Sequence, residues 1–272
     1  MHSWVDGVAQ SDIGLHNRGL AYGDGLFETI AVRGARPLLL ERHLQRLQQG
    51  CIRLAIPADA NQLRSEVVAY AQAMGEGVLK LIVTRGDSPR GYASDPQAPA
   101  RRILQASALP SYPAAHAVDG VHLFACTTRL AEQPQLAGLK HLNRLEQVLA
   151  RNEWQDSDYA EGLMCDTGGR VIEGVYSNLF MVRDGALLTA DLRRCGVAGT
   201  LRAELLEQAP TLGIPVKVCD LTLQDLTDAD EIFVCNSVYG VWPVLSCGQA
   251  LRWSAGPLTR KLQTLACALL DL

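Results

Sequence analysis

Apolar residues recur with two different periods along this 272-residue chain, and the changes of period mark out its elements. Leu40, Leu44, Leu47, Cys51 and Leu54 fall at helical spacing, which predicts an amphipathic helix over residues 40–54. Val78 to Thr84 and Ile103 to Ala106 read as strands, and so does Val121 to Cys126. Residues 139–152 read as a helix. Leu179 to Val182 and Ala186 to Thr189 flank Arg183-Asp184-Gly185, where Asp-Gly is a hairpin signal. A helix from Thr200 to Gln208, a strand from Val216 to Cys219, an apolar strand from Glu231 to Cys235 and a final helix from Pro257 to Leu270 complete the pattern.

Leu109-Pro110-Ser111-Tyr112-Pro113-Ala114-Ala115-His116 interrupts this pattern with two prolines in a weakly patterned stretch. It predicts a linker over 109–119, between an N-terminal domain, 1–108, and a C-terminal domain, 120–272. Hairpins beside helices make the class α/β (α+β), two-domain, with mixed or antiparallel sheets. There is no internal repeat or low-complexity segment.

Composition narrows the function classes. An apolar fraction of 48% with 20% charged residues is ordinary for a soluble globular protein. The net charge of -4 comes without a basic block, which argues against nucleic acid as the main partner. No apolar run is long enough to span a membrane, and Met1-His2-Ser3-Trp4-Val5-Asp6-Gly7 lacks the regions of a signal peptide, so a cytoplasmic protein is expected. The eight cysteines never form C-x-x-C and mostly sit among apolar neighbours, which reads as buried free thiols with no metal site.

Lysine is scarce, and of Lys80, Lys140, Lys217 and Lys261 only Lys140 follows a flexible glycine into a predicted helix opening, Gly138-Leu139-Lys140-His141. A nucleophilic amine needs partial burial or cationic neighbours, and His141 and Arg144 are candidates; a solvated surface lysine is the plain alternative. Val171-Ile172-Glu173 ends an apolar strand on a carboxylate, which suits either a pyridinium nitrogen or an arginine. Gly196-Val197-Ala198-Gly199-Thr200-Leu201-Arg202 opens a helix with two glycines and a hydroxyl, as a phosphate seat or an ordinary capped turn does. Arg42 falls opposite the apolar stripe of the first helix, facing solvent or clamping a phosphate, and Asn236-Ser237 follows an apolar strand.

The order of these segments resembles the fold-type-IV pyridoxal-phosphate (PLP) enzymes, the family of branched-chain and D-amino-acid aminotransferases and aminodeoxychorismate lyases. The resemblance runs from Arg18-Gly19-Leu20-Ala21-Tyr22-Gly23-Asp24-Gly25-Leu26-Phe27-Glu28-Thr29 through Glu41 to Leu47, Lys140, Glu173 with Ser177-Asn178, and Gly199 to Arg202, to Asn236-Ser237. It implies a homodimer with the cofactor between the two domains and Lys140 as the Schiff-base lysine and proton carrier. Glu173 would pair with the pyridine nitrogen, while Arg42, Gly199, Thr200, Leu201 and Ser237 would hold the phosphate. Ser177, Asn178 and Asn236 would complete the cofactor-binding set. Thr84-Arg85-Gly86 with Arg90-Gly91-Tyr92, and Lys140 to Gln147, look like the lyase branch, where elimination of pyruvate from 4-amino-4-deoxychorismate yields 4-aminobenzoate for folate. Arg85 and Arg90 are then the candidates to read the substrate carboxylates. An aminotransferase of the same fold is the alternative, and a non-turnover PLP-binding protein is a third class.

Overall fold

The computed structural model describes residues 3–272; Met1 and His2, part of the leader reading, lie outside the described residues. The chain forms two compact units, one of Met1–Pro110 with Leu139–Asn143, the other of Ser111–Gly138 with Arg144–Leu272.

The first unit is a six-stranded antiparallel sheet in the order Val8–Ala9, Trp4–Val5, Arg101–Ser107, Gly77–Thr84, Gly25–Arg33, Arg36–Pro37. Side-chain alternation gives one face Leu26, Ile30, Val32, Leu79, Leu81 and Val83. The helices Leu40–Leu54 and Ala60–Met74 cover that face with Leu44, Leu47, Leu63, Val67 and Tyr70. The first helix has the bounds its apolar spacing predicts; the second, capped by Asp59 at the amides of Asn61 and Gln62, was not read from the sequence.

Residues 139–143 depart from the helix predicted over 139–152, of which only Leu145–Arg151 is helical. The cause is a strand edge. Arg36–Pro37 pairs with Val32 and Arg33 only, which leaves the outer edge of Gly25–Phe27 without a strand neighbour. Unmet backbone groups there take up residues 140–142: Phe27 donates to the Lys140 carbonyl at 2.9 Å and Leu142 donates to Gly25 at 3.0 Å. Five residues that the sequence boundary puts in the C-terminal domain are thereby held in the first unit.

The second unit is built on a closed ring of strands. Asn178–Arg183 pairs with Glu231–Asn236, then Gly240–Cys247, Val121–Leu130, Tyr159–Asp166 and Val171–Gly174, which returns to Asn178–Arg183 through Glu173 opposite Asn178. Ala186–Ala190 and Val216–Cys219 extend the sheet beyond Asn178–Arg183, and Leu251–Arg252 pairs with Gly240–Cys247. Asp184 and Gly185 both have positive φ, 53° and 73°, as the Asp-Gly hairpin predicts. Helices Thr200–Gln208 and Pro257–Leu270 have their predicted bounds. All eight cysteines are free thiols, six buried and two half-buried. Among the described residues no cluster of three or more His, Cys, Asp or Glu is arranged to hold a metal, and no helix is long and apolar enough to cross a membrane.

Candidate active site

Strand pairing decides where Lys140 points. His141 lies opposite Leu26, so alternation sends Leu139 to the helix-covered face and Lys140 to the other. Leu139 is buried in the core of the first unit, and the Lys140 Nζ stands 4.5 Å from the centre of the Phe27 ring. Lys80 brings a second ammonium to the same ring, at 5.3 Å.

On the helix side of the same strand, Glu28 is buried and accepts from His43 Nδ1 at 2.6 Å and Arg46 Nε at 2.8 Å. Burial alone would raise the Glu28 carboxyl, but the Arg46 charge and the hydrogen bonds from His43 and Arg46 outweigh it and hold it at about 2. His43 is pushed down chiefly by burial, with Arg46 and Lys140 adding positive charge against it while Glu28 opposes them. The sequence reading did not single out this buried Glu-His-Arg group. Arg42, one turn before Arg46, is half-buried rather than fully turned to solvent.

The structure gives Arg85 a different task from reading substrate. Its Nε and Nη2 bind Asp24 at 2.8 and 3.1 Å, while Nη1 and Nη2 donate to the carbonyls of Ala55 and Leu54. A guanidinium engaged this fully has no fork left for a carboxylate. Asp24 also receives Arg18 Nε at 2.8 Å, and the two arginines overcome burial to lower its carboxyl. Arg18, itself buried, reaches Ser88 Oγ and the carbonyls of Gly91 and Tyr92, and so ties down the loop on which Arg90 stands exposed.

In the second unit the ring closes where the other candidates meet. Glu173 Oε2 accepts from the Val197 amide at 2.8 Å. Asn178 donates to the Val197 carbonyl at 2.9 Å, lies 3.5 Å from Glu173, and accepts from the Gly199 amide at 3.0 Å. Gly196 has φ +83°, and a Cβ there would stand 2.7 Å from Ile172 and 3.3 Å from Glu173 Oε2. Gly199 then caps Thr200–Gln208 without a side-chain hydrogen bond, and Thr200 and Leu201, which open the helix, are buried.

Ser177 and Asn236 belong to a neighbouring knot. Ser177 Oγ donates to Glu161 at 2.7 Å, and Asn236 donates to the Tyr176 carbonyl at 3.3 Å. Asn236 Oδ1 accepts from the amides of Val238 and Tyr239, which shapes the turn that carries the half-buried Ser237. Glu161, which no motif reading marks, is fully buried at the centre of this knot. The second unit thus brings Glu173, Ser177, Asn178, Gly199 and Asn236 together by hydrogen bonds, with Thr200 and Leu201 following directly on Gly199. Lys140, Arg42, Arg85 and Arg90 stand in the first unit.

Comparison with known proteins bears on what this donor set serves. The model of the family described as amino-transferase class IV matches residues 25–247. An aminodeoxychorismate lyase of Vibrio harveyi is 37% identical over 265 residues, 96% of this chain and 97% of that protein. A D-alanine aminotransferase of Listeria monocytogenes is 28% identical over 259 residues, 92% of this chain and 88% of that protein. The crystal structure of 4-amino-4-deoxychorismate lyase from Pseudomonas aeruginosa has a TM-score of 0.97 at 58% identity, covering 99% of this chain and 100% of that one.

Proposed function

From the premise that this chain belongs to the amino-transferase class IV family, we propose that it is a PLP-dependent lyase that releases pyruvate from 4-amino-4-deoxychorismate and leaves 4-aminobenzoate. The observation that carries the reading is the end-to-end match, at 58% identity, to a solved lyase of that description. The reading extends to a homodimer in the cytoplasm that supplies 4-aminobenzoate for folate.

The residues present fit the cofactor. A buried carboxylate, a helix opening capped by glycine alone and a lysine set on an aromatic ring are the acceptor, the amide donors and the amine that a protonated pyridine nitrogen, a phosphate and an aldehyde would require. When bound, the cofactor supplies an electron sink for the carbon next to the substrate nitrogen.

The chain's own groups do the rest. Lys140 would hold the cofactor, and its amine is the base that would take the proton from the substrate's C4. Glu173, its carboxylate held in place by the Val197 amide, would pair with the cofactor's ring nitrogen and favour its protonated form. The amides opening the helix at Thr200 and Leu201, with Gly199, Arg42 and Ser237, would hold the phosphate. Ser177, Asn178 and Asn236 keep those groups in register. Arg90 remains the candidate for a substrate carboxylate. The C3–O bond then breaks, the enolpyruvyl group leaves and picks up a proton to become pyruvate, and aromatisation of the ring makes the step effectively irreversible.

Mixing the PLP-loaded protein with 4-amino-4-deoxychorismate alone tests this. Many turnovers of 4-aminobenzoate and pyruvate are expected with no keto acid added. A halt after one equivalent, or turnover only with an amino-acid and keto-acid pair, would establish an aminotransferase instead.

A further inference from the structure

The geometry points to Glu161 as the positioning residue of this site, holding the Gly174–Ser177 turn, and through it Glu173 and the Asn236 turn, in the arrangement that binds the cofactor. The inference rests on the PLP reading above. Glu161 opens no motif, yet four donors converge on its carboxyl. Oε1 accepts from the amides of Gly162 at 2.8 Å and Val175 at 2.9 Å. Oε2 accepts from the Tyr176 amide at 3.3 Å and Ser177 Oγ at 2.7 Å. Three of the four lie in the turn between Glu173 and Asn178, the two residues whose pairing closes the strand ring. The Tyr176 carbonyl on that turn takes the Asn236 amide group, so a second candidate segment depends on the same anchor.

The packing leaves little room for slippage. A Cβ on Gly174 would lie 2.2 Å from Ser177 Oγ and 2.9 Å from Glu161, so the turn sits directly against the carboxyl. Tyr239 stacks on Trp242 at 3.7 Å, and Tyr112 and Tyr176 close the cluster edge-on. The buried Tyr239 hydroxyl lies next to Ser177 but completes no hydrogen bond of good geometry.

No lysine or arginine pairs with Glu161 among the described residues. The titratable groups facing it are Tyr176 on the turn, Tyr239 after Asn236, Tyr112 and the Cys126 thiol, with Arg151 acting on Tyr176. All four are held neutral near pH 7, since burial pushes the three hydroxyls above their ordinary range and the thiol to about 12. Burial pushes Glu161 up as well, against its four hydrogen bonds, to about 7. An ionised carboxyl accepts all four donors at once. A protonated one must donate with one oxygen and so gives up one of them.

The test compares wild type, Glu161→Gln and Glu161→Leu by PLP titration of the apo-protein between about pH 6 and 8, with circular dichroism as the folding control. Glu161→Leu leaves four donors unmet, and its PLP affinity should fall on the order of tenfold or more. Glu161→Gln keeps most of the contacts but cannot ionise. The ratio of wild-type to Glu161→Gln affinity should therefore rise several-fold through pH 7, because all other groups titrate alike in both. A folded Glu161→Leu protein with wild-type affinity, or a ratio flat with pH, overturns the assignment. If Glu161→Leu does not fold, the ratio alone decides. A wild-type protein that takes up no PLP would defeat the underlying reading, whereas normal wild-type uptake with unaffected variants defeats this inference alone.

Discussion

With four lysines in the chain, covalent attachment can be assigned to a single residue. Borohydride treatment of the PLP-loaded protein should fix the cofactor irreversibly on Lys140, and peptide mapping reads this directly. Label on Lys80, whose ammonium shares the Phe27 ring, or on Lys217 or Lys261 would overturn the assignment. Lys140→Ala should retain some PLP through its phosphate and lose turnover. At Glu173 the charge is what matters. Glu173→Gln keeps an acceptor for the Val197 amide but cannot balance a protonated ring nitrogen. It should fold and bind PLP yet lose activity on the order of 10²-fold, as removal of one electrostatic catalytic group does. Near-normal kcat in this variant would leave Glu173 a purely structural residue.

At the scale of elements, the opening of Thr200–Gln208 depends on a glycine that has no space for a side chain. A Cβ on Gly199 would stand 2.0 Å from Asn178 Oδ1, the atom that accepts its amide. Gly199→Ala should therefore displace Asn178, weaken PLP binding on the order of tenfold and cost about 1–3 kcal/mol of stability. Gly213→Ala is the control. Its φ of +76° makes alanine strained by about 1 kcal/mol, but nothing lies within 4 Å of the added carbon, and PLP affinity should not change. The same contrast between local and distant causes explains what was legible in the sequence. Helices 40–54, 200–208 and 257–270 were read to their ends because apolar spacing, glycine and proline at their borders are local signals. The Ala60–Met74 helix was missed because Val68, Ala69 and Ala73 blur the stripe made by Leu63, Val67, Tyr70 and Ala71. Residues 139–143 carry helix-forming side chains, and only an open strand edge far back in the chain makes them extended. Arg85 fits a motif, but its partners Asp24, Leu54 and Ala55 come from other segments. Glu161 was invisible for that reason too, since three of its four donors lie at residues 175–177.

Across the whole molecule, two buried carboxylates pull stability in opposite directions with pH, one in each unit. Glu28 is held at about 2, below the ordinary 4.5, by Arg46 and His43 against burial. Its contribution is present above about pH 4.5 and is lost as pH falls through its folded value. Glu161 is raised by burial to about 7, and the sign reverses. Its neutral form is the one the fold tolerates, so its contribution is complete below about pH 4.5 and is lost as pH rises towards 7. A shift from 4.5 to about 7 amounts to roughly 3 kcal/mol as an upper bound, because relaxation around a buried carboxylate reduces the cost. Each group is isolated by differential calorimetry of a variant against wild type. Glu161→Gln should gain thermal stability over wild type progressively between about pH 4.5 and 7, with a constant excess above. Equal melting temperatures across that range would mean that Glu161 is already ionised in the folded protein well below neutrality. The direction has a functional consequence. The ionised form, which completes all four hydrogen bonds of the cofactor-binding turn, is the form that costs the fold stability, as expected of a group kept for its site rather than for its core.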